Sequence, residues 1–329
     1  MNRSADIVDT VLESSIAPSF SRVGYSIRQR LDHWTPLNSY DLQGRVVVIS
    51  GATSGIGFAT SSSLLACGAT LEIIGRDATR TNAAAHQLRN QSSCQGTVSV
   101  VVADTGDLEQ ITTAADELSE RHASIDVLIH NAGALSAAYA ESQQGIEQTV
   151  ASQVVGPFAL TQLLREPLTR SSNARVLWVS SGGMYSQALD VEHLEMMSEG
   201  YNGTVAYARA KRAQVTLNEM FPERWAGTDV RFHAMHPGWA DTPGVQKALP
   251  TFRRLLRPFL RTPAEGADTL VWLACDDGLP LQRTGTFWLD RRVRSINKLR
   301  ATRSADTPLA REQLWDWCTE RARPYLAGR

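Results

Sequence analysis

A glycine-rich turn at residues 51–57, with the sequence GATSGIG, constrains this chain more than any other feature. It follows an apolar run at 46–50 and precedes a small-residue stretch that can continue as a helix. A strand, a glycine turn and a helix N-terminus form a phosphate site, because the amides point at the anion and missing Cβ atoms allow its close approach. A turn that only packs a helix on a sheet is the alternative. The residues predicted to contact a dinucleotide here are Gly51, Thr53, Ser54, Gly55, Ile56 and Gly57.

Apolar segments alternate with helix-forming segments from residue 45 to residue 289. Strands are predicted at 45–50, 70–75, 98–103, 126–130, 175–180, 229–235 and 285–289. Helices are predicted near 56–67, 79–90, 108–122, 142–165, 204–220 and 264–275. This order predicts an α/β fold with a doubly wound, mostly parallel, seven-stranded sheet of Rossmann-like type that binds ligands at the carboxyl ends of its strands. We expect one domain at 44–290, an N-terminal helical extension at 1–43 and a partly helical tail at 291–329.

Composition limits the classes of function. The chain has 329 residues, of which 43% are hydrophobic and 20% charged, and its formal net charge is −1. This near-zero charge gives no reason to expect nucleic-acid binding. The four cysteines are scattered, and neither they nor the seven histidines show the spacing of metal ligands, so no metal is predicted. Because no signal-peptide pattern and no membrane-spanning run is visible, we expect a cytoplasmic location, with peripheral membrane contact left open.

The ends of the second, third and fourth predicted strands carry residues suited to a nucleotide. Arg76 follows the second strand and suits the 2′-phosphate of NADP, whereas Asp77, one step later, suits the ribose hydroxyls of NAD. We favour NADP and keep NAD as the alternative. The predicted contacts at the next two strand ends are Asp104, for the adenine amino group, and Asn131, Ala132 and Gly133, which brace the strands and let the cofactor approach.

A tyrosine and a lysine stand four residues apart in the segment YARAK, so that Tyr207 and Lys211 share one face of a predicted helix. An unperturbed tyrosine titrates near ~10. One ammonium at about 4 Å and an effective dielectric of ~20 supplies roughly 4 kcal/mol, which brings that pKa close to neutrality. Tyr207 is therefore a candidate general acid or base, and a surface tyrosine beside a surface lysine is the alternative.

The joint order of these motifs, followed by HPGWADT at 236–242, resembles the short-chain dehydrogenase/reductase family over roughly residues 42–290. The resemblance implies that Ser181 orients a substrate carbonyl and that Tyr207 is the acid/base. It implies that Lys211 binds the nicotinamide ribose and lowers the tyrosine pKa. Ser181 and Tyr207 lie further apart than is usual, as they do in the retinol-dehydrogenase-like branch. The residues implied to line the nicotinamide end are Pro237, Gly238 and Thr242.

One position departs from the family pattern. The family usually has an asparagine three positions before the glycine of its fourth crossover helix, where it supports a water-linked proton relay. Here Gln153 precedes Gly156 at that spacing. In the family this role uses mainly the backbone carbonyl at a helix kink, so a glutamine can serve. We therefore place Gln153 among the predicted catalytic residues.

The segments on the substrate side are apolar. Met184, Tyr185 and Trp239 are predicted to lie near the reacting carbon. Residues 252–261 combine apolar positions at helical spacing with arginines between them, which predicts either a lid on the cleft or a membrane-surface contact. For residues 20–34 the choice is between a helix that packs on the domain, which we favour, and a helix that touches a membrane surface. Both alternatives for residues 252–261, with the apolar Met184, Tyr185 and Trp239, point to a small hydrophobic substrate such as a retinoid, steroid or fatty aldehyde. A homodimer is left open.

The leading hypothesis is an NADP-dependent oxidoreductase that moves a hydride between the nicotinamide and a hydrophobic carbonyl or alcohol. Tyr207 is its acid/base. One alternative is a dinucleotide-binding regulatory or scaffold protein with weakened chemistry, against which the intact Ser181, Tyr207 and Lys211 argue. A sugar-nucleotide epimerase would share the Y-x-x-x-K pattern, but it usually has a different glycine spacing and a larger C-terminal substrate domain.

Overall fold

The computed structural model describes residues 3–248 and 250–326, and within them eight strands form one sheet. The strands are β1 (Val46–Ser50), β2 (Thr70–Gly75), β3 (Thr97–Val102), β4 (Val127–His130), β5 (Arg175–Val179), β6 (Arg231–Met235), β7 (Thr286–Leu289) and β8 (Arg292–Arg294). Their order is β3-β2-β1-β4-β5-β6-β7-β8, and only β8 is antiparallel to its neighbour. The α/β, Rossmann-like prediction is confirmed, with one strand more than the seven predicted.

Helices cover both faces of the sheet. They are α1 (Arg3–Glu13), α2 (Ile16–Phe20), α3 (Arg22–Leu31), α4 (Gly55–Ala66), α5 (Ala78–Arg89), α6 (Leu108–Arg121), α7 (Gln148–Val150), α8 (Gly156–Leu163), α9 (Arg165–Arg170), α10 (Gly203–Arg224), α11 (Pro243–Ala248), α12 (Pro250–Leu256), α13 (Pro263–Cys275), α14 (Arg300–Ala305) and α15 (Pro308–Leu326). A π-helical turn, Ala151–Val155, joins α7 to α8. The helix predicted at 142–165 therefore begins only at Gln148 and is interrupted.

The sheet is buried on both faces, which explains the nearly continuous apolar sequence of its central strands. Residues of α4 and α13 pack on one face, and residues of α6, α8 and α10 pack on the other. The strand order reverses between β1 and β4, so the carboxyl ends of these two strands flank a crevice. In folds of this type, a ligand binds at that point of reversal.

The turn between β7 and β8 consists of Asp290 and Arg291, whose φ angles are 54° and 56°. Two-residue hairpin turns with positive φ at both positions usually carry Asn or Gly, so these two residues are unusual there. Both side chains are buried in ion pairs: Asp290 binds Arg28 and Arg261, and Arg291 binds Asp268. The predicted domain boundary at residue 290 therefore falls inside a β-hairpin.

The N-terminal helices α1 to α3 pack against the rest of the protein. Phe20, Tyr25 and Arg28 are buried, and the Ser21 side chain caps the start of α3 by accepting from the Val23 amide. This packing agrees with the arrangement that we favoured for residues 20–34 over a membrane contact. At the other end of the chain, α15 buries one face against α8 and α10.

The segment predicted as one amphipathic helix at 252–261 is divided. The helix α12 ends at Leu256, and a 3-10 turn, Arg257–Phe259, follows it. Arg261 is buried against Asp290 and not part of a basic outer face, so this element of the prediction is wrong. Across the described residues, no helix is long and apolar enough to span a membrane, and no cluster of three or more metal-ligating side chains occurs.

Candidate active site

The glycine turn joins β1 to the N-terminus of α4, and close backbone contacts require its glycines. Gly51 has a φ of +74°, and a Cβ there would lie 2.7 Å from the Cα of Ala132. A Cβ on Gly57 would lie 2.2 Å from the carbonyl oxygen of Gly51. Ser54 precedes α4, and its side chain makes no capping bond within the described chain. The first amides of α4 are therefore suited to bind a pyrophosphate.

The ends of β2 and β3 form the edge of the crevice that an adenosine would reach. An Oδ1 atom of Asp77 accepts a hydrogen bond from the backbone amide of Arg80 at 2.9 Å and so caps α5. Arg76 is exposed, and its guanidinium forms no hydrogen bond or ion pair with any described residue. Asp104 is half-buried, and its Oδ1 accepts from the Gly106 amide at 2.9 Å. Arg76, which directly follows β2, is thus free to bind a phosphate.

Asn131 joins the ends of β1 and β4. Its Nδ2 donates to the carbonyl oxygens of Ser50 and Gly51 at 3.0 and 2.9 Å. The amide of Ala132 donates to the hydroxyl of Ser50 at 3.1 Å. Gly133 is exposed beside them. These bonds hold the glycine turn against the end of β4, where the sequence predicted that Asn131 would brace the strands.

The nicotinamide side is formed by the turn after β6. Pro237 and Gly238 make this turn, and the Pro237 carbonyl accepts from Nη1 of Arg261 at 3.2 Å. Thr242 lies opposite the glycine turn, since a Cβ built on Gly55 would be 3.3 Å from the Thr242 Cβ. Both predicted cofactor segments therefore face one crevice, and their side chains and backbone fit a dinucleotide.

Ser181 and Tyr207 are brought together although β5 and α10 are separated by a long loop. Ser181 precedes the 3-10 turn Gly182–Ser186, and its Oγ accepts from the Gly183 amide at 3.2 Å. Burial raises the pKa of Tyr207 above its ordinary value, and a hydrogen bond with Ser181 lowers it in part. The phenol consequently keeps its proton at neutral pH.

Lys211 lies beside Tyr207, with its Nζ 5.3 Å from the centroid of the tyrosine ring. The ammonium donates to the carbonyl oxygen of Val179 at 2.9 Å and to Oε1 of Gln214 at 3.1 Å. Burial lowers the pKa of Lys211 to about 7. In this structure the shift of the Tyr207 pKa is upwards and has burial as its main cause, opposite in direction to the lowering by Lys211 that the sequence predicted.

Gln153 lies in the π-helical turn and is fully buried. Its carbonyl oxygen accepts from Nε2 of Gln214 at 2.6 Å, and Gln214 in turn accepts from Lys211. Its own side chain donates to the Ala134 carbonyl at 2.9 Å, while its Oε1 has no partner in the described chain. The helix irregularity that the family resemblance implied is present, and Gln214 links the Gln153 carbonyl to Lys211, whereas the proton-relay role of that carbonyl stays a prediction. Sequence reasoning missed Gln214, although its position three residues after Lys211 places both on one helix face.

Two of the predicted substrate-side residues are placed differently from expectation. Met184 is fully buried in the apolar core, so its side chain is not exposed in the crevice as the sequence analysis expected. Tyr185 is also buried, and its hydroxyl donates to the Ser295 carbonyl at 2.9 Å. Trp239 is half-buried and packs edge-on against Phe252.

Phe20 of the N-terminal segment lies beside Tyr185, is 4% exposed and reaches the loops on both sides of this cluster. A Cβ built on Gly182 would lie 2.7 Å from Cε2 of Phe20, and the ring centroid of Phe20 lies 4.5 Å from that of His236. The apolar spacing of residues 20–34 indicated packing on the domain. It carried no signal that Phe20 would reach the loops beside Ser181 and Pro237.

Comparisons with known proteins agree with this geometry. The short chain dehydrogenase family model matches residues 45–251. The chain is 35% identical over 275 residues to Dehydrogenase/reductase SDR family member 12 from Homo sapiens, covering 83% of this chain and 84% of that protein. It is 31% identical over 291 residues to Retinol dehydrogenase 14 from Mus musculus, covering 84% and 85%. The resemblance to SDR family member 12 that the segments SSGGM, AYARAKRAQV and MHPGWADTPGV indicated is confirmed.

A solved structure shows the same architecture. The crystal structure of an uncharacterized protein from Mycobacterium Paratuberculosis has a TM-score of 0.68 and 27% identity, and the match covers 88% of this chain and 97% of that one. The family model spans more than half of the chain, and the relatives align over most of their length. The chain therefore belongs to the short chain dehydrogenase family, a family of NAD(P)-dependent dehydrogenases and reductases that act on CH–OH groups.

Proposed function

We propose that the protein is an NADP-dependent reductase of hydrophobic carbonyl compounds, with Tyr207 as the proton donor. The observation that carries the proposal is the convergence of Ser181, Tyr207 and Lys211 at the end of the crevice opposite the free guanidinium of Arg76. When bound, the dinucleotide supplies the hydride that adds to the carbonyl carbon. The protein must then bind the carbonyl oxygen and give it a proton.

Three side chains divide that work. The Ser181 hydroxyl lies within hydrogen-bonding reach of Tyr207 and can hold a carbonyl oxygen beside the phenol. Tyr207 donates the proton, since burial raises its pKa and keeps the phenol protonated at neutral pH. Lys211 is held by the Val179 carbonyl and Gln214, which leaves its third N–H for the ribose of the cofactor. The protonated phenol is the form that reduction of a carbonyl requires.

The preference for NADP rests on the end of β2. Asp77 is engaged as the cap of α5, whereas Arg76 is exposed and has no partner among the described residues. A guanidinium in this position suits a 2′-phosphate, and the negative charge of a free aspartate would disfavour it. NAD remains the alternative cofactor.

The hydrophobic substrate is inferred from the aromatic side chains beside the reacting centre. Phe20 packs edge-on to Trp239, with ring centroids 6.1 Å apart, and Trp239 packs edge-on to Phe252 at 5.3 Å. The similarity to Retinol dehydrogenase 14, whose name gives an apolar alcohol, supports the same class. A retinoid, a steroid ketone and a fatty aldehyde all meet these requirements.

The proposal is tested by Tyr207→Phe. We expect NADPH to bind with the wild-type Kd, while kcat for reduction of apolar aldehydes and ketones falls by about 10²–10⁴-fold, the usual contribution of a positioned acid. Tyr325→Phe, on the distant helix α15, serves as the matched control and should keep full activity. Full activity of Tyr207→Phe would contradict the mechanism. A wild type that binds NADPH and reduces nothing would favour the regulatory or scaffold alternative.

We also propose that the rim formed by α12 and the following 3-10 turn contacts an anionic membrane surface. Leu255 and Phe259 are 69% and 50% exposed. The neighbouring Arg254 and Arg257 are exposed, and within the described residues neither guanidinium forms a hydrogen bond or ion pair. Exposed apolar side chains flanked by unpaired cations suit the interface of an anionic bilayer, from which an apolar substrate could enter.

Vesicle flotation tests this contact. Wild-type protein should float with phosphatidylserine-containing vesicles and not with pure phosphatidylcholine, and Arg254→Glu/Arg257→Glu should remove the binding. Arg253 is left unchanged because it pairs with Asp241. A control variant with the same charge change elsewhere, Arg283→Glu/Arg323→Glu, should bind like the wild type. Absence of wild-type binding, or equal loss in both variants, would contradict the proposal.

A further inference from the structure

Phe20 lies between the two loops that border the reacting centre, although it belongs to the N-terminal segment. Its ring contacts the backbone of Gly182, the residue directly after Ser181. On the other side, the ring centroid is 4.5 Å from His236 and 6.1 Å from Trp239, which flank the Pro237–Gly238 turn. One aromatic ring therefore separates the serine loop from the nicotinamide turn.

The backbone around Phe20 is held by side chains from distant parts of the chain. The Phe20 carbonyl accepts from the Trp239 amide at 2.8 Å. The Ser19 carbonyl before it accepts from Nη1 of Arg28 at 3.0 Å and from Nη2 of Arg261 at 3.1 Å. The Ser21 carbonyl after it accepts from Nε of Arg261 at 3.2 Å. Arg28 and Arg261 are themselves fully or almost fully buried.

The carboxylate of Asp290 pairs with the guanidinium groups of both Arg28 and Arg261. Asp290 accepts from Arg28 at 2.7 Å and from Arg261 at 2.6 and 2.9 Å, and its own exposure is 1%. Ser19, Phe20 and Ser21 are thus positioned by hydrogen bonds to all three of their carbonyl oxygens. The ring has little freedom to move away from the loops, so its size determines how much space remains between them.

We propose that Phe20 is a specificity-determining residue, which forms the inner wall of the substrate cleft and limits the bulk of the group attached to the carbonyl. This inference rests on the proposed function, because it requires that the crevice between Ser181 and Trp239 receives the substrate. A smaller side chain at position 20 would leave a cavity bordered by Gly182, His236 and Trp239, and a substrate substituent could fill it. The N-terminal segment is then part of the substrate site.

The experiment compares the binding of a compact and a bulky ketone to the NADPH-loaded protein. Dissociation constants for cyclohexanone and 2-adamantanone are measured by tryptophan fluorescence for the wild type, Phe20→Ala and Phe20→Leu. We expect Phe20→Ala to shift the ratio of the two constants by about tenfold or more in favour of the bulky ketone. Phe20→Leu, which removes less volume, should give a smaller shift in the same direction.

Leu12→Ala is the matched control, because Leu12 is buried in α1 of the same segment. It should lower stability and leave the ratio of the two constants unchanged. An unchanged ratio in Phe20→Ala, an equal shift in Leu12→Ala, or failure of both ketones to bind any variant would overturn the inference. Turnover is measured separately. A wild type that binds both ketones and reduces neither contradicts the proposed function, while the binding ratios still test the role of Phe20.

Discussion

The two sides of the crevice are held together by different kinds of interaction. On the cofactor side, the glycine turn and the ends of β1 and β4 are joined by backbone and amide contacts, such as those from Asn131 to Ser50 and Gly51. On the substrate side, segments hundreds of residues apart are joined by buried pairs between guanidinium and carboxylate groups, with Arg28 and Arg261 sharing Asp290.

This difference determines how easily each side of the crevice is recognised from the sequence. A glycine turn needs particular residues at neighbouring positions, so its sequence is recognisable wherever it occurs. A buried ion pair needs only two opposite charges that meet after folding, and many arrangements satisfy it. Buried pairs add little net stability, but removing one partner leaves a desolvated charge. We infer that the pairs on Asp290 specify where the N-terminal segment docks.

Removal of the Arg28 side chain, on the substrate side, should have the largest effect on the free energy of unfolding. Arg28→Ala leaves Asp290 with Arg261 alone and removes a donor from Asp9, and loss of one partner of a buried pair typically costs about 3–5 kcal/mol. We expect a lower urea midpoint. Arg30→Ala, at an exposed position of the same helix, should change the free energy of unfolding by less than about 0.5 kcal/mol. Equal losses in the two variants would show that the ion pairs do not anchor the segment.

Lys211 lies where the cofactor side and the substrate side of the crevice meet, and its contribution to the free energy of unfolding depends on pH. Burial lowers its pKa to about 7 in the folded protein, whereas in the unfolded chain it titrates near ~10.4. Between these values the unfolded chain binds more protons, so the contribution of Lys211 makes the free energy of unfolding rise with pH. Below about pH 7 the lysine is charged in both states and the full desolvation penalty applies.

The variant Lys211→Met lacks this dependence. We therefore expect the wild type to gain stability relative to Lys211→Met as the pH rises from about 7.5 to about 9.5, by at most about 1.4 kcal/mol per pH unit. Urea denaturation at both pH values measures the difference. A difference that stays constant, or that moves in the opposite direction, would show that burial does not depress the pKa of Lys211.

A change at Arg76 tests the cofactor side of the crevice. Because Arg76 is exposed and makes no hydrogen bond or ion pair with the described residues, Arg76→Ala should leave the stability unchanged. Loss of a charge-assisted contact of about 1.5–3 kcal/mol would weaken NADPH binding by roughly 10–100-fold and leave NADH binding unaffected. Arg80→Ala serves as the neighbouring control and should have a smaller effect. Equal weakening of NADPH and NADH binding would show that Arg76 does not bind the 2′-phosphate.

The smallest effect is expected at Gln153. Its backbone carbonyl binds Gln214, and this contact survives in Gln153→Asn. The lost side-chain bond to the Ala134 carbonyl should cost about 1 kcal/mol of stability, and kcat should change by less than about threefold. A much larger fall in kcat, measured at saturating substrate, would show that the Gln153 side chain, and not its backbone carbonyl, supports catalysis.

The cofactor side was largely predictable from the sequence, for physical reasons. The glycine turn, the parallel strands and the Tyr207–Lys211 pair depend on residues that are close in sequence and that follow the periods of strands and helices. The substrate side was predicted only as apolar. Met184 was misplaced because the direction of a side chain in a short 3-10 turn is decided by packing, and Phe20 was missed because its neighbours come from residues 182, 236 and 239.

The pKa values could not be derived from spacing. The four-residue separation placed Lys211 beside Tyr207, but the direction of each shift depends on burial, which is a property of the whole fold. The eighth strand was not predicted, because a three-residue edge strand carries almost no periodicity. The turn at Asp290, which leads into that strand, was missed with it.

We propose that this crevice transfers a hydride from NADPH to a hydrophobic carbonyl carbon with a proton from Tyr207. The most direct measurement follows deuterium from NADPH, labelled at the transferring position of its nicotinamide, into apolar aldehydes and ketones by mass spectrometry. We predict one deuterium on the carbinol carbon with the wild type and a transfer rate lower by about 10²-fold or more with Tyr207→Phe. Wild-type protein that binds NADPH and transfers no deuterium to retinal, a steroid ketone or a fatty aldehyde would contradict this mechanism.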